Sequence, residues 1–248
     1  MQSNQGEVTQ PPITSQEAAS VSIAASASAL RARLLSGSMI MLVSSAVVGA
    51  TNFIYNIAVA RLLGAAGFGQ ASAVYTLLML LSCVTLAFQL VCSKLVAKSG
   101  TIAAKAAIYR SLHRRSWQVS TLVGIALVWA SPLVSSYLNF PTRDYVVVLG
   151  IATTFYIPLG VRRGLMQGAY DFRHLAQNFV IEVVIKLGGA LLLLHYGQGV
   201  MGVIEAVAAS VVAAYLTARP KAAFNVASRD QVSTSFDEGM QAIVFFIG

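Results

Sequence analysis

The chain has 248 residues, of which 56% are hydrophobic and only 10% are charged, whereas a soluble domain usually carries about 25% charged residues. This composition excludes an ordinary water-soluble domain and favours a protein whose solvent is the lipid bilayer. The formal net charge is +8, but the basic residues lie in short segments beside apolar stretches. Anionic lipid headgroups are therefore the expected partner, and nucleic acid is not.

The N-terminal segment, residues 1–35, is predicted to be a cytoplasmic tail. Residues 1–20 are polar and have no apolar period, which is typical of disorder. They also lack the charged start and apolar core of a secretory signal. From Val21 to Leu35 the sequence is rich in Ala and Leu and contains Arg31 and Arg33, which predicts an amphipathic helix along the inner membrane surface.

Six apolar segments follow, each long enough to cross a bilayer, which requires about 20 helical residues. We predict an all-α fold, a polytopic bundle of transmembrane helices whose six-helix lobe covers residues 36–218. The gap between the second and third spans is expected to hold a short interfacial helix, and Pro158 is expected to kink the fourth span. The predicted spans are Ser36–Ala60, Ala71–Val96, Ser116–Leu138, Tyr145–Leu165, Leu175–Tyr196 and Val200–Ala218.

The last part of the chain changes from polar to apolar. Residues 219–238 are polar and are predicted to be a cytoplasmic link to a second lobe. Residues 239–248 begin a new apolar run, which is too short to cross a bilayer as a helix. We interpret this run as the start of a truncated seventh span, so that a C-terminal lobe is missing; the alternative is an interfacial tail.

Lys and Arg residues are unequally distributed between the two sides of this series of spans. Of the 17 basic residues, fourteen lie in the N-terminal flank and the even-numbered gaps, whereas the odd-numbered gaps contain only Arg61 and Arg143. The remaining one, Lys186, lies inside a span. Because cytoplasmic loops carry such an excess, the sequence predicts a multi-pass protein of the cell inner membrane with a cytoplasmic N-terminus.

Three acidic or basic residues lie in the interior of the predicted spans, away from their ends: Glu182, Lys186 and Glu205. A charge at the bilayer centre costs about 2.5–3.5 kcal/mol on insertion scales, so such residues are usually paired or face water. Glu182 and Lys186 are four residues apart, on one helix face. They either form the wall of a substrate path, with Lys186 contacting an anion, or a self-satisfied pair. Glu205 is predicted to join Lys186, to bind a proton, or to reach the outer headgroups.

Polar residues without charge add to this pattern. Asn52 and Asn56 share a face of the first span, and Gln89 lies in the second; such amides join neighbouring helices or line a cavity. Arg163, at the inner end of the fourth span, either binds phosphate or only sets topology. No spacing of His, Cys or acidic residues indicates a metal or a catalytic pair, so the sequence predicts neither an enzyme nor a cofactor.

Two motifs resemble signatures of polysaccharide biosynthesis proteins, the Wzx-like oligosaccharide flippases. One joins the first two spans and the other ends the fourth span. Their residues are Ala60, Arg61, Leu63, Gly64, Phe68 and Gly69 in the first, and Arg163, Gly164, Gln167 and Gly168 in the second. The resemblance covers about residues 33–248. It implies a superfamily shared with multidrug extruders and lipid II flippases, and two six-helix lobes around a central cavity, of which this chain is the N-terminal half.

The resemblance also implies a function. The expected activity is movement of a lipid-linked oligosaccharide from the cytoplasmic to the outer leaflet by alternating access, coupled to a proton or a sodium ion. The alternatives are a multidrug or small-molecule extruder of the same superfamily and a membrane-embedded enzyme of glycan assembly. The residues predicted to line the substrate path are Glu182, Lys186, Glu205, Asn52, Asn56, Gln89 and Arg163.

The charge bias predicts which segments a membrane-impermeant thiol reagent reaches from outside intact cells. After replacement of the two native cysteines, Cys83 and Cys92, by Ser, a cysteine placed at Lys105 should remain unlabelled because its gap is cytoplasmic. A cysteine at Asn139 should be labelled. The opposite pattern would invert the predicted orientation.

Overall fold

The computed structural model describes residues 15–219, with side chains from Leu35 onward. This part of the chain is almost entirely helical, which confirms the all-α prediction. Its elements are α1 (Ser15–Lys98), α2 (Ile102–Trp129), α3 (Ser131–Tyr137), α4 (Asp144–Gly168), α5 (Phe172–His195) and α6 (Gly199–Thr217). Most of the predicted 219–238 link and the predicted seventh span lie outside the described residues.

The long helix α1 folds back on itself at Gly64. This residue has φ 69° and ψ −179°, a conformation that only glycine adopts without strain. On either side of it, the rings of Tyr55 and Tyr75 lie 4.6 and 5.2 Å from the same atom, Lys186 Nζ, whereas a straight helix would separate these positions by about 30 Å. The two halves of α1 therefore form a hairpin. The gap between the first two predicted spans, residues 61–70, is in fact helical except at Gly64.

By length and composition alone, the described helices suffice for six membrane crossings when the α1 hairpin is counted twice. Three helices, α4, α5 and α6, are each long and apolar enough to cross a bilayer. Residues 35–98 of α1 are long and apolar enough as well, and because they form a hairpin, α1 can cross twice. α2 and α3 together form a further candidate, bent by 60°. α4, α5 and α6 begin and end within a few residues of the predicted fourth, fifth and sixth spans.

The structure corrects three predictions about helices. The expected interfacial helix before the third span is not separate, since α2 runs without a break from Ile102 to Trp129, and no Gly or Pro lies between Ile102 and Ser116, where the two helices would have to part. α2 instead ends nine residues before the predicted Leu138, where Pro132 in the first turn of α3 cannot continue the hydrogen-bond ladder. At the other end of the chain, α1 is already helical from Ser15, inside the stretch expected to be disordered.

The bundle has two chemically different ends. At one end, Phe140, Tyr145 and Ile204 form an apolar cluster around the starts of α4 and α6. At the opposite end, the last turns of α4 and α6 meet the start of α5. Nearly all basic residues of the described part belong to this second end: Lys94, Lys98, Lys105, Arg110, Arg114, Arg115, Arg162, Arg163, Arg173 and Arg219. The second end is called the basic end below.

The central helix, α4, packs against α1, α2 and α6, and glycines allow its closest approach. A Cβ atom at Gly160 would lie 2.5 Å from the carbonyl oxygen of Thr85, and one at Gly168 would lie 2.6 Å from that of Ser93. Gly164 approaches the Gln89 carbonyl equally closely. These glycines are spaced by four residues, so one face of α4 lies directly on the α1 backbone.

A methyl group at the middle glycine tests this contact. Gly164→Ala should destabilise the bundle by about 1–3 kcal/mol, because the added methyl overlaps the α1 backbone. Gly188→Ala on α5 is the matched control, since a Cβ there has no neighbour within 4 Å. Thermal unfolding of the detergent-solubilised protein measures both; equal unfolding temperatures for the two variants would contradict the close packing.

Candidate functional site

Three polar residues form a stripe along α5. Asn178, Glu182 and Lys186 follow at four-residue intervals, which places them on one side of the helix. Asn178 and Lys186 are buried, and Glu182 is partly exposed. The stripe therefore faces the inside of the bundle, where α1 and α4 lie.

Arg163 of α4 is the centre of the first half of this stripe. Its guanidinium is buried, donates from Nε to Asn178 Oδ1 at 2.8 Å, and forms an ion pair through Nη2 with Glu182 Oε2. It also lies over the ring of Phe179, 4.2 Å from the ring centroid. Arg163 is thus paired inside the lobe, and its charge is offset by the carboxylate of Glu182.

Asn178 extends this network to α6. Its amide nitrogen donates to the carbonyl oxygen of Ala214 at 2.7 Å and to Thr217 Oγ1 at 3.0 Å. The network Arg163–Asn178–Ala214 therefore joins three helices. The sequence analysis did not select Asn178, although its four-residue distance from Glu182 is a signal that it shares the polar face.

Lys186 lies in a separate cage formed by the α1 hairpin. Nζ donates to Asn52 Oδ1 and lies over the faces of Tyr55 and Tyr75. The residue is only 6% exposed, and it forms no ion pair with any residue of the described part. Cation–π contact and one amide oxygen stabilise the ammonium group here, so its positive charge is not neutralised by a carboxylate.

The predicted self-satisfied pair of Glu182 and Lys186 is wrong. The Glu182 carboxylate turns towards Arg163 on α4, whereas the longer side chain of Lys186 extends to Asn52 on α1. Four-residue spacing brings the two side chains to one helix face, but each meets a better partner on a different neighbouring helix. The alternative interpretation, a wall of the substrate path, stays a prediction.

The cage lies near the middle of the membrane. Counted from the turn at Gly197, Lys186 is about 16 Å deep, and counted from Gly64, Asn52 is about 18 Å deep. Half of the hydrocarbon thickness is about 15 Å. Glu182, one helical turn further along, lies closer to the basic end.

Glu205 is the third intramembrane charge, and it stands apart from the stripe. Its side chain is half-buried and has no hydrogen bond or ion pair with residues 35–219. The predicted contact with Lys186 is therefore not formed. Its role as a proton site, or as a group that reaches the headgroups, stays a prediction.

The remaining predicted amides have different surroundings. Asn56 is exposed, and its amide nitrogen donates to the carbonyl oxygen of Asn52 in its own helix at 2.9 Å. Gln89 is partly buried and donates from Nε2 to Gln167 Oε1 at 3.2 Å, which joins α1 to α4. Gln89 thus acts as a contact between helices, whereas Asn56 presents a polar surface on the outside of the lobe.

Arg162, next to Arg163, caps the end of α6. Nη1 donates to the carbonyl oxygens of Tyr215 and Ala218 at 2.6 and 3.4 Å, and Nη2 donates to the Tyr215 hydroxyl at 2.8 Å. The last carbonyls of a helix lack partners and carry partial negative charge. The positive charge of Arg162 therefore stabilises the C-terminal end of α6.

An aromatic cluster continues from this cap to α2. The indole of Trp117 donates to His113 Nε2 at 3.2 Å, and the Tyr215 hydroxyl lies 3.3 Å from the same nitrogen. Because Nε2 accepts a hydrogen bond, the neutral His113 carries its proton on Nδ1. Its ring is stacked between Tyr109 and Tyr215, at 5.1 and 6.2 Å, which joins α2 to α6.

The bundle is similar to one half of two solved transporters. One is a multidrug resistance MATE family transporter of the MOP superfamily in an outward-facing conformation, with a TM-score of 0.70 and 16% identity over 86% of this chain and 50% of that one. The other is a MOP superfamily transporter from Pyrococcus furiosus, whose binding pocket is described as having reverse polarity, with a TM-score of 0.65 and 15% identity over 82% and 48%. The described helices therefore have the same arrangement as about half of each of these two structures.

At these identities the likeness concerns the fold alone, and the chain spans about half the length of both structures. No protein-family model matches the sequence, and no curated protein matches it either.

In this bundle, the Arg-Gly-x-x-Gln-Gly motif is an element of helix packing. Arg163 forms the ion pair with α5, Gln167 bonds to α1, and Gly164 and Gly168 allow α4 to touch the α1 backbone. All four positions have partners inside the lobe. The motif therefore fixes α4 against its neighbours, and the predicted phosphate contact of Arg163 would require the ion pair with Glu182 to open.

The ion pair between Arg163 and Glu182 can be tested by removing one partner at a time. Glu182→Gln leaves the guanidinium buried without a counter-charge, which should destabilise the protein by about 3–5 kcal/mol. The double variant Arg163→Met, Glu182→Met should recover most of this loss, since no charge remains unpaired. Thermal unfolding in detergent measures the variants, and equal losses in the single and double variants would contradict the pairing.

Proposed function

We propose that the chain is the N-terminal lobe of a two-lobe transporter that moves a lipid-linked oligosaccharide across the inner membrane by alternating access. The fold, one half of a MOP-type transporter, supports the lobe arrangement. Transporters of this general design place the substrate site near the bilayer midplane, between two repeats that rock against each other. The caged Lys186 lies at this depth.

The observation that carries the substrate class is the unneutralised charge of Lys186. Arg163 and Glu182 offset each other, so the polar stripe with its partners retains one positive charge. A positive charge in a low-dielectric site attracts an anion strongly and repels a cation. A lipid-linked oligosaccharide carries its phosphate groups between the lipid and the sugar, so it supplies the required anion.

The surroundings of the cage suggest how a substrate approaches. Tyr75 is partly open to the surface, and Asn56 presents its amide on the outside of the same hairpin. A small cleft adjoins Tyr55 and Tyr75, and it is far too small for an oligosaccharide. The proposed path therefore runs along the open side of the α1 hairpin, between this lobe and the second one.

Glu205 supports coupling to an ion. Its carboxylate is half-buried and unpaired among residues 35–219, and an unpaired intramembrane carboxylate is a typical proton or cation site. Coupling to a proton or a sodium ion therefore belongs to the proposal.

A second candidate function is the export of drugs or other small molecules. The observation that favours it is the similarity of the fold to a multidrug resistance transporter. The charge of Lys186 distinguishes the two functions. It should favour an anionic glycan carrier, and it should disfavour the transport of cationic compounds.

Substitution of Lys186 tests the proposal in cells that express the whole protein. Lys186→Ala should lower glycan export by about 10–100-fold, since a hydrogen bond to a charged group contributes about 1.5–3 kcal/mol. Lys186→Arg should retain part of the activity, and added ethylammonium should partly restore the Ala variant by occupying the cage. Lys94→Ala, an exposed site at the basic end, is the matched control and should export normally.

Protein abundance in the membrane is measured in parallel, so that loss of export is separated from loss of folding. Normal export by an abundant Lys186→Ala variant would overturn the anion contact. Increased efflux of a cationic dye by that variant, with unchanged glycan export, would support the extruder instead.

A further inference from the structure

The short helix α3 differs from the other helices in direction and in surface. It is bent by 60° from α2 and has seven residues, Ser131–Tyr137. Such a helix is about 10 Å long, and its 60° bend halves the length that it adds along the axis of α2. Its position needs a different explanation.

The outward surface of α3 is strongly apolar and aromatic. Trp129 at the bend is 87% exposed, Leu133 is 75% exposed and Tyr137 is 85% exposed. Leu133 and Tyr137 are four residues apart on one face of α3, and Trp129 ends α2 directly before the bend; these three residues are called the ridge below. The opposite side contains the buried serines Ser131 and Ser135, so the most apolar side of this segment points away from the protein.

The inner surface of α3 fixes its level in the bundle. Val134 and Leu138 pack on the cluster that contains Phe140, Tyr145 and Ile204. The start of α6, at Val200, packs on the same cluster. α3 therefore lies where α4 and α6 begin, at the end of the bundle opposite the basic end.

The sequence around the ridge matches the boundary between hydrocarbon and headgroups. Residues 116–142 contain no Asp, Glu, Lys or Arg, and Arg143 and Asp144 follow directly. Trp and Tyr are enriched at this boundary because one part of the ring system is apolar and another part hydrogen-bonds. The segment 116–142 is free of these charged residues, contains Trp129 and Tyr137 in its second half, and is followed by two charged residues. This order is typical of a segment that passes from hydrocarbon to headgroups.

The location of α3 within the lobe favours lipid over a second protein lobe. α3 packs on α2 and α4, and within residues 15–219 it has no backbone contact with α1 or α5. The polar cage and stripe lie between α1, α4 and α5. α3 therefore does not border α1 or α5, the two helices that form the cage and along which the second lobe is proposed to lie.

We propose that α3 is an in-plane anchor that inserts Trp129, Leu133 and Tyr137 between the phospholipid headgroups and the first acyl carbons of the leaflet opposite the basic end. The partner is the bilayer itself, and the anchor fixes the depth of the lobe on this side. The inference concerns the membrane position only and is independent of the substrate under Proposed function.

The chain contains only two tryptophans, Trp117 and Trp129, which allows a direct test. The full chain is placed in phosphatidylcholine–phosphatidylglycerol vesicles that contain lipid brominated either near the headgroup or near the end of the acyl chain. Trp117→Phe leaves Trp129 as the single fluorophore. Trp129→Phe leaves Trp117, which is enclosed by His113, Phe155 and Tyr215, as the matched control.

In Trp117→Phe, the lipid brominated near the headgroup should quench the fluorescence at least about twofold more than the lipid brominated near the chain end, because the ring lies at the boundary. Equal or stronger quenching by the deep bromine would place Trp129 inside the hydrocarbon and overturn the proposal. No quenching by either lipid would mean that protein covers the ridge, which overturns it as well. If Trp117→Phe does not fold, the wild-type signal minus that of Trp129→Phe gives the same quantity.

Discussion

The arrangement of the lobe depends on the cost of placing charge in a bilayer. Arg163 and Glu182 lie on different helices, and neither is tolerable there without the other. Their pairing, together with Asn178, fixes the relative positions of α4, α5 and α6. The glycine face of α4 then brings α1 into backbone contact. The ion pair thus determines which face of α4 meets α5, and the glycines of α4, which have no side chains, determine how closely α4 approaches α1.

Lys186 satisfies the same constraint in a different way. It has no carboxylate partner in the described part of the chain, and two tyrosine rings and an amide oxygen surround it instead. Such an environment stabilises the ammonium group but leaves its field largely intact. This difference separates Arg163, whose charge Glu182 offsets, from Lys186, whose charge no carboxylate offsets in the described part of the chain.

Much of the architecture was predictable from the sequence, because long apolar runs and the placement of Lys and Arg report directly on the bilayer. The ends of α4, α5 and α6 were predicted within a few residues. The partners of the charged residues were not, since spacing along one helix cannot show that Glu182 prefers Arg163 or that Lys186 reaches Asn52. The single-residue turn at Gly64 and the early end of α2 were also missed, because both depend on local backbone geometry within apolar sequence.

The turn at Gly64 has a mechanical consequence. Tyr55 and Asn52 belong to one arm of the α1 hairpin and Tyr75 to the other, and all three touch the ammonium group of Lys186. Gly64 is the one non-helical residue between the two arms, so it is a single hinge of the hairpin. A small change in φ or ψ at this hinge would part the two arms at mid-membrane and loosen the grip on Lys186, while the rest of each arm stays helical. Opening of the cage would then need no unfolding, only rotation about two bonds.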